Sequence, residues 1–254
     1  MVNLIINSDI IENIKLVIFD KDGTLMELYH YWSQMVGMRA KLICEKLGIN
    51  EEHENNLLYE MGVDWKAGKL RSEGPVGIKK REIVLQAALD YLKTIGYEDT
   101  YNICYEVFRE VDQISLLNLN RFIKPIEGSS RLIDLLFNNG CKIAIATTDR
   151  GERAKLACDF LGFANKIDFI IGADKVSKSK PEPEMINMIV DTLKIDKFNT
   201  VMIGDAVTDV QMGINANLKA SIGVLTGLST LTELRKLTPY IVDSVEQVKC
   251  IKTK

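Results

Sequence analysis

Residues 15–24 read KLVIFDKDGT, and the change of character at Asp20 decides how the rest of the chain is organised. Lys15 to Phe19 is a short β-branched and aromatic run, apolar enough on both faces to be a strand inside a parallel sheet. It stops at Asp20 and turns through Asp22, Gly23 and Thr24, as a strand entering a loop does. One buried strand leaves its backbone groups unpaired, so its partners must come from elsewhere. They appear after residue 125: CKIAIA (141–146), DFII (168–171), TVMI (200–203), ASIGV (220–224) and YIV (240–242). Helical stretches of about a dozen residues separate them, among them Leu132, Ile133, Leu135 and Leu136 before Gly140, and Ile186, Ile189, Val190 and Leu193 after Pro183. That alternation is the pattern of βαβ units and a parallel sheet, in which ligands bind outside the carboxyl ends of the strands.

Between the first strand and its partners lies a segment of a different kind. Ile83, Val84, Ala87, Ala88, Tyr91, Leu92 and Ile95 recur at helical spacing up to Gly96, and Ile103, Cys104, Val107, Phe108, Val111 and Ile114 do the same. An earlier helix is expected over residues 31–47, closed by Gly48, and a shorter one near 51–61. No strand-like run interrupts them, so an all-helical insert is expected at 29–119, with 1–28 and 120–254 forming the α/β domain that flanks it. Trp32 and Trp65 are expected in the core of the insert.

Composition narrows the class of function. In 254 residues, 46% are hydrophobic and 26% charged, as in ordinary globular proteins. A net charge of −3 offers no surplus of Lys and Arg for nucleic acid, so none is expected as a partner. No run approaches the roughly 18 apolar residues needed to span a bilayer, and the N-terminus lacks a basic start and a small-residue cleavage site. Five cysteines without a C-x-x-C pair suggest neither a disulfide framework nor structural zinc, and a reducing cytoplasm fits them. Two histidines and no G-x-S-x-G leave a Ser-His-Asp hydrolase little to work with.

The unusual polar residues collect at the predicted strand ends. In DKDGT, Asp20 could act as a carboxylate nucleophile and Asp22 as a general acid and then base, although a plain polar turn needs the same residues. Thr147 and Thr148 end the next strand, where hydroxyls and adjacent N–H groups could hold phosphoryl oxygens or merely cap a helix. Lys180 precedes a Pro-started helix; it is either solvated or, if buried beside carboxylates, a point charge for phosphate. Asp205 and Asp209 share one helical face and offer hard oxygen ligands of the kind Mg²⁺ takes. If all four aspartates met a phosphate dianion, each like-charge pair near 4 Å would cost about 4 kcal/mol at an effective dielectric of 20. A carboxylate attacking an anionic phosphate therefore requires a bridging cation.

Four segments, VIFDKDGTL, IAIATT, the lysine of SKSKPEP, and MIGDAVTD, occur in this order between residues 16 and 209. Together they resemble the haloacid dehalogenase-like hydrolase superfamily. The resemblance implies an α/β fold with a Rossmann-like parallel sheet core and an inserted helical cap similar to that of phosphoglycolate phosphatases and β-phosphoglucomutases. It further implies Asp20 as nucleophile and metal ligand, and Asp22 as acid/base with its carbonyl on Mg²⁺. Thr147 and Lys180 would hold phosphate, Asp205 would ligate the metal, and Asp209 would act through water. Asp22 separates the chain from transport ATPases and dehalogenases, which lack that acid. Thr148 stands where phosphoglycolate phosphatases commonly carry Asn, and Asn217 where the family usually carries Gly. In the insert, residues 68–77 (GKLRSEGPVG) offer Lys69, Arg71 and Ser72 to a leaving group, or form a solvated loop. The expected function is a Mg²⁺-dependent phosphatase acting on a small phosphorylated metabolite; a phosphomutase, a pyrophosphatase and a non-catalytic binding module are the alternatives.

Overall fold

The computed structural model describes residues 1–71, 73–77 and 79–253. Strands β1 (Val2–Ile6), β2 (Asp9–Ile14) and β3 (Leu16–Phe19) open the chain, and β4 (Val63–Asp64) and β5 (Lys69–Leu70) lie in the insert. Then follow β6 (Lys142–Thr147), β7 (Phe169–Gly172), β8 (Thr200–Gly204), β9 (Ala220–Val224), β10 (Ile241–Val242) and β11 (Lys249–Lys252). The chain divides into two compact units, Met1–Glu27 with Pro125–Lys254, and Leu28–Lys124.

The first unit is built on a six-stranded parallel sheet of order β10-β9-β8-β3-β6-β7. β3 is central because all four of its side chains are apolar and it can be covered on both faces. The side chains alternate as the pleat requires. Val17, Phe19, Ile143, Ile145, Val201 and Ile203 face one side, where Leu132, Ile133 and Leu136 of the helix Ser129–Asn138 pack. Leu16, Ile18, Ala144, Ala146 and Met202 face the other, against Met185, Ile186 and Ile189 of the helix Glu184–Leu193 and Met212 of Val207–Asn215. Each fully buried aliphatic side chain is worth about 2 kcal/mol in transfer free energy, and this is what holds the central strand. From β3 the chain order runs to β6 and β7 on one side, then returns to β8, β9 and β10 on the other. The order thus reverses between β3 and β8, and a crevice opens outside their carboxyl ends.

The structure differs from expectation in three places. Residues 1–14, beyond the single expected strand, form the hairpin β1-β2, which joins β11 in an antiparallel sheet of order β11-β1-β2. Its side chains Val2, Leu4, Ile6, Ile11, Ile14 and Cys250 enter the same core as Val17 and Phe19. The alternation that would have marked β2 is broken by a bulge. Val2 pairs with Ile14 and Leu4 with Ile11, and Asn13 takes a left-handed φ of 62° there. In the insert, β4 and β5 make a two-residue antiparallel ribbon among the helices, too short to show a period of two. Trp65 sits in the turn of that ribbon and is 47% exposed, so it is not core.

Otherwise the insert is helical: Leu28–Leu47, Glu52–Glu60, Arg81–Thr94, Tyr101–Leu117 and Leu119–Phe122. Tyr31, Met35, Arg39, Ile43, Cys104, Val107, Phe108 and Val111 form buried stripes at helical spacing. The five cysteines are buried and free. No helix among the described residues is long and apolar enough to cross a membrane.

Candidate active site

β3 delivers Asp20 to the sheet's carboxyl edge, where its N–H donates to the carbonyl of Ile203 at the end of β8 (2.9 Å). The backbone pairing that builds the sheet thereby sets Asp20 beside Gly204 and Asp205. One carboxylate oxygen from each of Asp20, Asp205 and Asp209 lies within 4.8 Å of the others, and all three residues are buried. Lys180 Nζ, also buried, donates to Asp20 Oδ1 at 2.5 Å and to Asp209 Oδ1 at 2.7 Å. One ammonium is thus shared by two carboxylates, with a third beside them.

Asp205 and Asp209, although their spacing predicts one helical face, take different tasks. Asp205 does not cap the helix Val207–Asn215. Its Oδ1 accepts from Thr24 Oγ1 (3.2 Å) and its Oδ2 from the N–H of Leu228 (3.0 Å). Asp209 is the capping group, with Oδ2 accepting the Ala206 N–H at 3.0 Å. Its Oδ1 also takes Lys180, so Asp209 is both buried and paired.

Two glycines make room for the Asp205 carboxylate. A Cβ at Gly23, whose φ is +91°, would lie 2.7 Å from the carboxyl of Asp205; one at Gly227 would lie 1.8 Å from its Oδ2. Any larger residue would drive the carboxylate out of the cluster. Thr24, Thr226, Gly227 and Leu228 are participants that motif reading missed. Thr226 Oγ1 donates to the Gly23 carbonyl at 2.5 Å, tying the loop after β9 to the DKDGT turn. The sequence signal was present: LTGLS (225–229) directly follows a strand of the same sheet.

The electrostatics show a cluster with too little positive charge of its own. Burial pushes the Asp20 carboxyl up to about 6 from an ordinary 3.8, with Lys180 opposing and Asp209 adding to the rise. Burial pushes Asp205 well up, with the charges of Asp20 and Asp209 adding to it. Lys180 behaves conversely. Burial alone would lower its pKa, but Asp20 and Asp209 outweigh that and raise it, so it stays charged. Both partners of one ion pair are raised, Asp20 because burial outweighs the pull of Lys180 and Lys180 because two carboxylates outweigh its burial. Three carboxyl groups thus face one ammonium, and their oxygens are hard donors of the kind a small divalent cation takes.

Asp22 stands apart from the three-carboxylate group. Its Oδ1 accepts from Lys21 Nζ at 2.6 Å, and burial raises its pKa against the pull of that ammonium. Thr147 is buried at the end of β6, its Oγ1 accepting the Asp149 N–H at 3.1 Å, whereas Thr148 is exposed. Lys69 is exposed on the ribbon of the insert. Arg71 donates from Nη1 to the Tyr59 carbonyl (2.8 Å) and stacks on the Tyr59 ring at 3.9 Å. Ser72 lies outside the described residues.

Comparison with known proteins gives a family and a fold. The family model of the haloacid dehalogenase-like hydrolases matches residues 14–217. Over 115 residues the chain is 35% identical to a Dickeya dadantii protein named "Probable phosphatase IndB", covering 45% of this chain and half of that relative's length. It is 22% identical over 210 residues to the phosphoglycolate phosphatase of Aquifex aeolicus, covering 83% of this chain and 84% of that one. Among solved structures, one described as a predicted phosphoglycolate phosphatase from Haemophilus somnus superposes with a TM-score of 0.70 at 16% identity. That superposition covers 92% of this chain and 96% of the other, and shows the shared fold.

Proposed function

The chain belongs to the haloacid dehalogenase-like hydrolases, and from that premise we propose that it is a Mg²⁺-dependent phosphatase acting on a small phosphorylated metabolite. The observation that carries this reading is the sharing of the Lys180 ammonium by Asp20 and Asp209, with Asp205 completing an acidic group at the crevice between β3 and β8.

Asp20 is the nucleophile. Its Oδ attacks phosphorus as the bond to the leaving oxygen breaks, forming an aspartyl-phosphate. Asp22 gives a proton to the leaving oxygen and afterwards takes one from the water that hydrolyses the phosphoenzyme. Lys180 and the Thr147–Thr148 strand end hold the phosphoryl oxygens. Asp20, Asp205 and the Asp22 carbonyl would hold Mg²⁺, with Asp209 acting through water. When bound, the ion supplies positive charge that lets one anion approach another. The inserted unit Leu28–Lys124 is read as the cap that selects the leaving group, with Lys69, Arg71 and Ser72 as its candidate contacts.

The test is release of inorganic phosphate from a panel containing phosphoglycolate, hexose phosphates, pyrophosphate and p-nitrophenyl phosphate. Turnover should stop on chelation and return with Mg²⁺. Metal-independent turnover, or no release from any member with Mg²⁺ present, would overturn the reading. Conversion between hexose phosphate isomers without release would identify a mutase.

A further inference from the structure

Lys21 stands between the two aspartates of the DKDGT turn, and its charge is felt by Asp20 as well as by Asp22. Its ammonium is buried, 2.6 Å from Asp22 Oδ1, 3.5 Å from Asp149 Oδ2 and 3.8 Å from Met26 Sδ. Burying an ammonium costs several kcal/mol of desolvation, so a site where an apolar residue would pack equally well has no stability reason to carry one. Asp149 is itself held in place. Its Oδ1 accepts the Arg150 N–H (2.8 Å), its backbone carbonyl accepts the Ala173 N–H (3.0 Å), and Arg153 Nε approaches Oδ2 at 3.6 Å. Lys21 therefore spans from the end of β3 to the loop after β6, with a fixed anchor at the far side.

The consequence falls on Asp22. Its Oδ1 is taken by Lys21, whereas Oδ2 accepts no hydrogen bond among the described residues. Without that tie, the Asp22 carboxylate, which feels the like charges of Asp149 and Asp20, would be pushed away by repulsion and would sample several rotamers. With it, one oxygen is fixed and the other keeps its hydrogen-bonding capacity among the described residues.

We propose that Lys21 is a positioning residue that clamps Asp22 through Oδ1, using Asp149 as its anchor, so that Oδ2 faces the scissile phosphate ester. The inference rests on the phosphatase reading above. In the step it serves, the Asp20–phosphorus bond forms, the phosphorus–oxygen bond to the leaving group breaks, and the proton on Asp22 Oδ2 passes to the leaving oxygen. How much that proton matters depends on the leaving group. p-Nitrophenolate is a stable anion and departs without it; an alkoxide does not.

The experiment compares p-nitrophenyl phosphate with the alkyl ester glycerol 2-phosphate, both with Mg²⁺, for the native chain, Lys21→Met and Asp149→Asn. Lys21→Met should lower kcat/KM for the alkyl ester about tenfold or more beyond its effect on the aryl ester, a size within general-acid contributions. The loss should lie in kcat, since Asp22 does not hold the substrate. Asp149→Asn keeps the ammonium but loosens its anchor, and should shift the ratio the same way by less; it carries the test if Lys21→Met fails to fold. Equal losses on the two esters, the result of a merely structural role, overturn the proposal while leaving the phosphatase reading standing. If glycerol 2-phosphate is refused, the alkyl phosphate of the panel above that is hydrolysed replaces it; if no member of the panel is hydrolysed, the phosphatase reading falls and the proposal with it.

Discussion

Two charged clusters in this protein use similar residues and reach opposite balances. In the insert, Asp112 receives Arg39 Nη2 at 2.9 Å and Arg81 Nε at 3.1 Å, and both guanidinium groups lie over the Phe108 ring, at 4.2 and 5.3 Å. One carboxylate has two cations there, each spread over an aromatic face, so its negative charge is fully met by the chain's own residues. At the ends of β3 and β8, three buried carboxylates have one ammonium. The first arrangement joins helices; the second is held together by the fold in spite of its own repulsion. A protein keeps such an imbalance where a ligand of opposite charge relieves it.

The contrast can be broken by substitutions, and the largest expected effect is on turnover. Asp20→Asn should lower kcat by at least about a thousandfold while the far-ultraviolet circular dichroism stays native, because an amide is not a nucleophile toward phosphorus. Near-native phosphate release from that variant would remove Asp20 from its role.

Next come paired substitutions with opposite signs. Asp205→Asn should weaken Mg²⁺ binding, measured by calorimetry, by more than the roughly 10–100-fold that disturbing a ligand's neighbours costs. It should also raise the melting temperature of the metal-free protein, because a repelled buried charge is removed while the amide oxygen still accepts the Leu228 N–H. Asp112→Asn should do the reverse, leaving Mg²⁺ affinity unchanged and costing about 1–3 kcal/mol in urea denaturation. If both variants were destabilised alike, the distinction between a self-sufficient cluster and an imbalanced one would fail.

The smallest effect concerns pH. The Asp20 carboxyl is raised to about 6 in the folded chain from an ordinary 3.8, so between those values the folded state holds a proton that the unfolded state has released. The stability this contributes is whole below the unfolded value and is lost as pH rises through about 6. Metal-free Asp20→Asn, which has no such proton to lose, should therefore melt above the native chain at pH 7. The gap should close as pH is lowered below the ordinary carboxylate value, and a gap that widened instead would show the ion pair with Lys180 outweighing burial.

Much of this was legible before any coordinates. KLVIF announces a strand covered on both faces because every residue after Lys15 is apolar, and the strands after residue 125 announce themselves by the same rule. Asp20 and Asp205 stand out because acids at the ends of buried strands are few, and Asp209 because its spacing from Asp205 is helical; Lys180, in a loop beyond β7, could equally have been solvated. The hairpin over residues 1–14 was not legible, because a bulge at Asn13 breaks the alternation by which a half-buried strand is recognised. Nor was the ribbon in the insert, whose strands are two residues long.

The amino-acid sequence by itself determined that β3 is buried, that a helical segment interrupts the α/β chain, and which acids stand at the strand ends, since these depend on residues close together along the chain. Which oxygen of each acid is occupied was decided only by tertiary structure. That Asp205 turns to Leu228 and Thr24, that Lys180 bridges Asp20 and Asp209, and that Lys21 reaches Asp149, all depend on contacts between residues far apart along the chain. Hydrogen bonds and charges act over a few ångströms of space, and the distance along the chain carries no record of them.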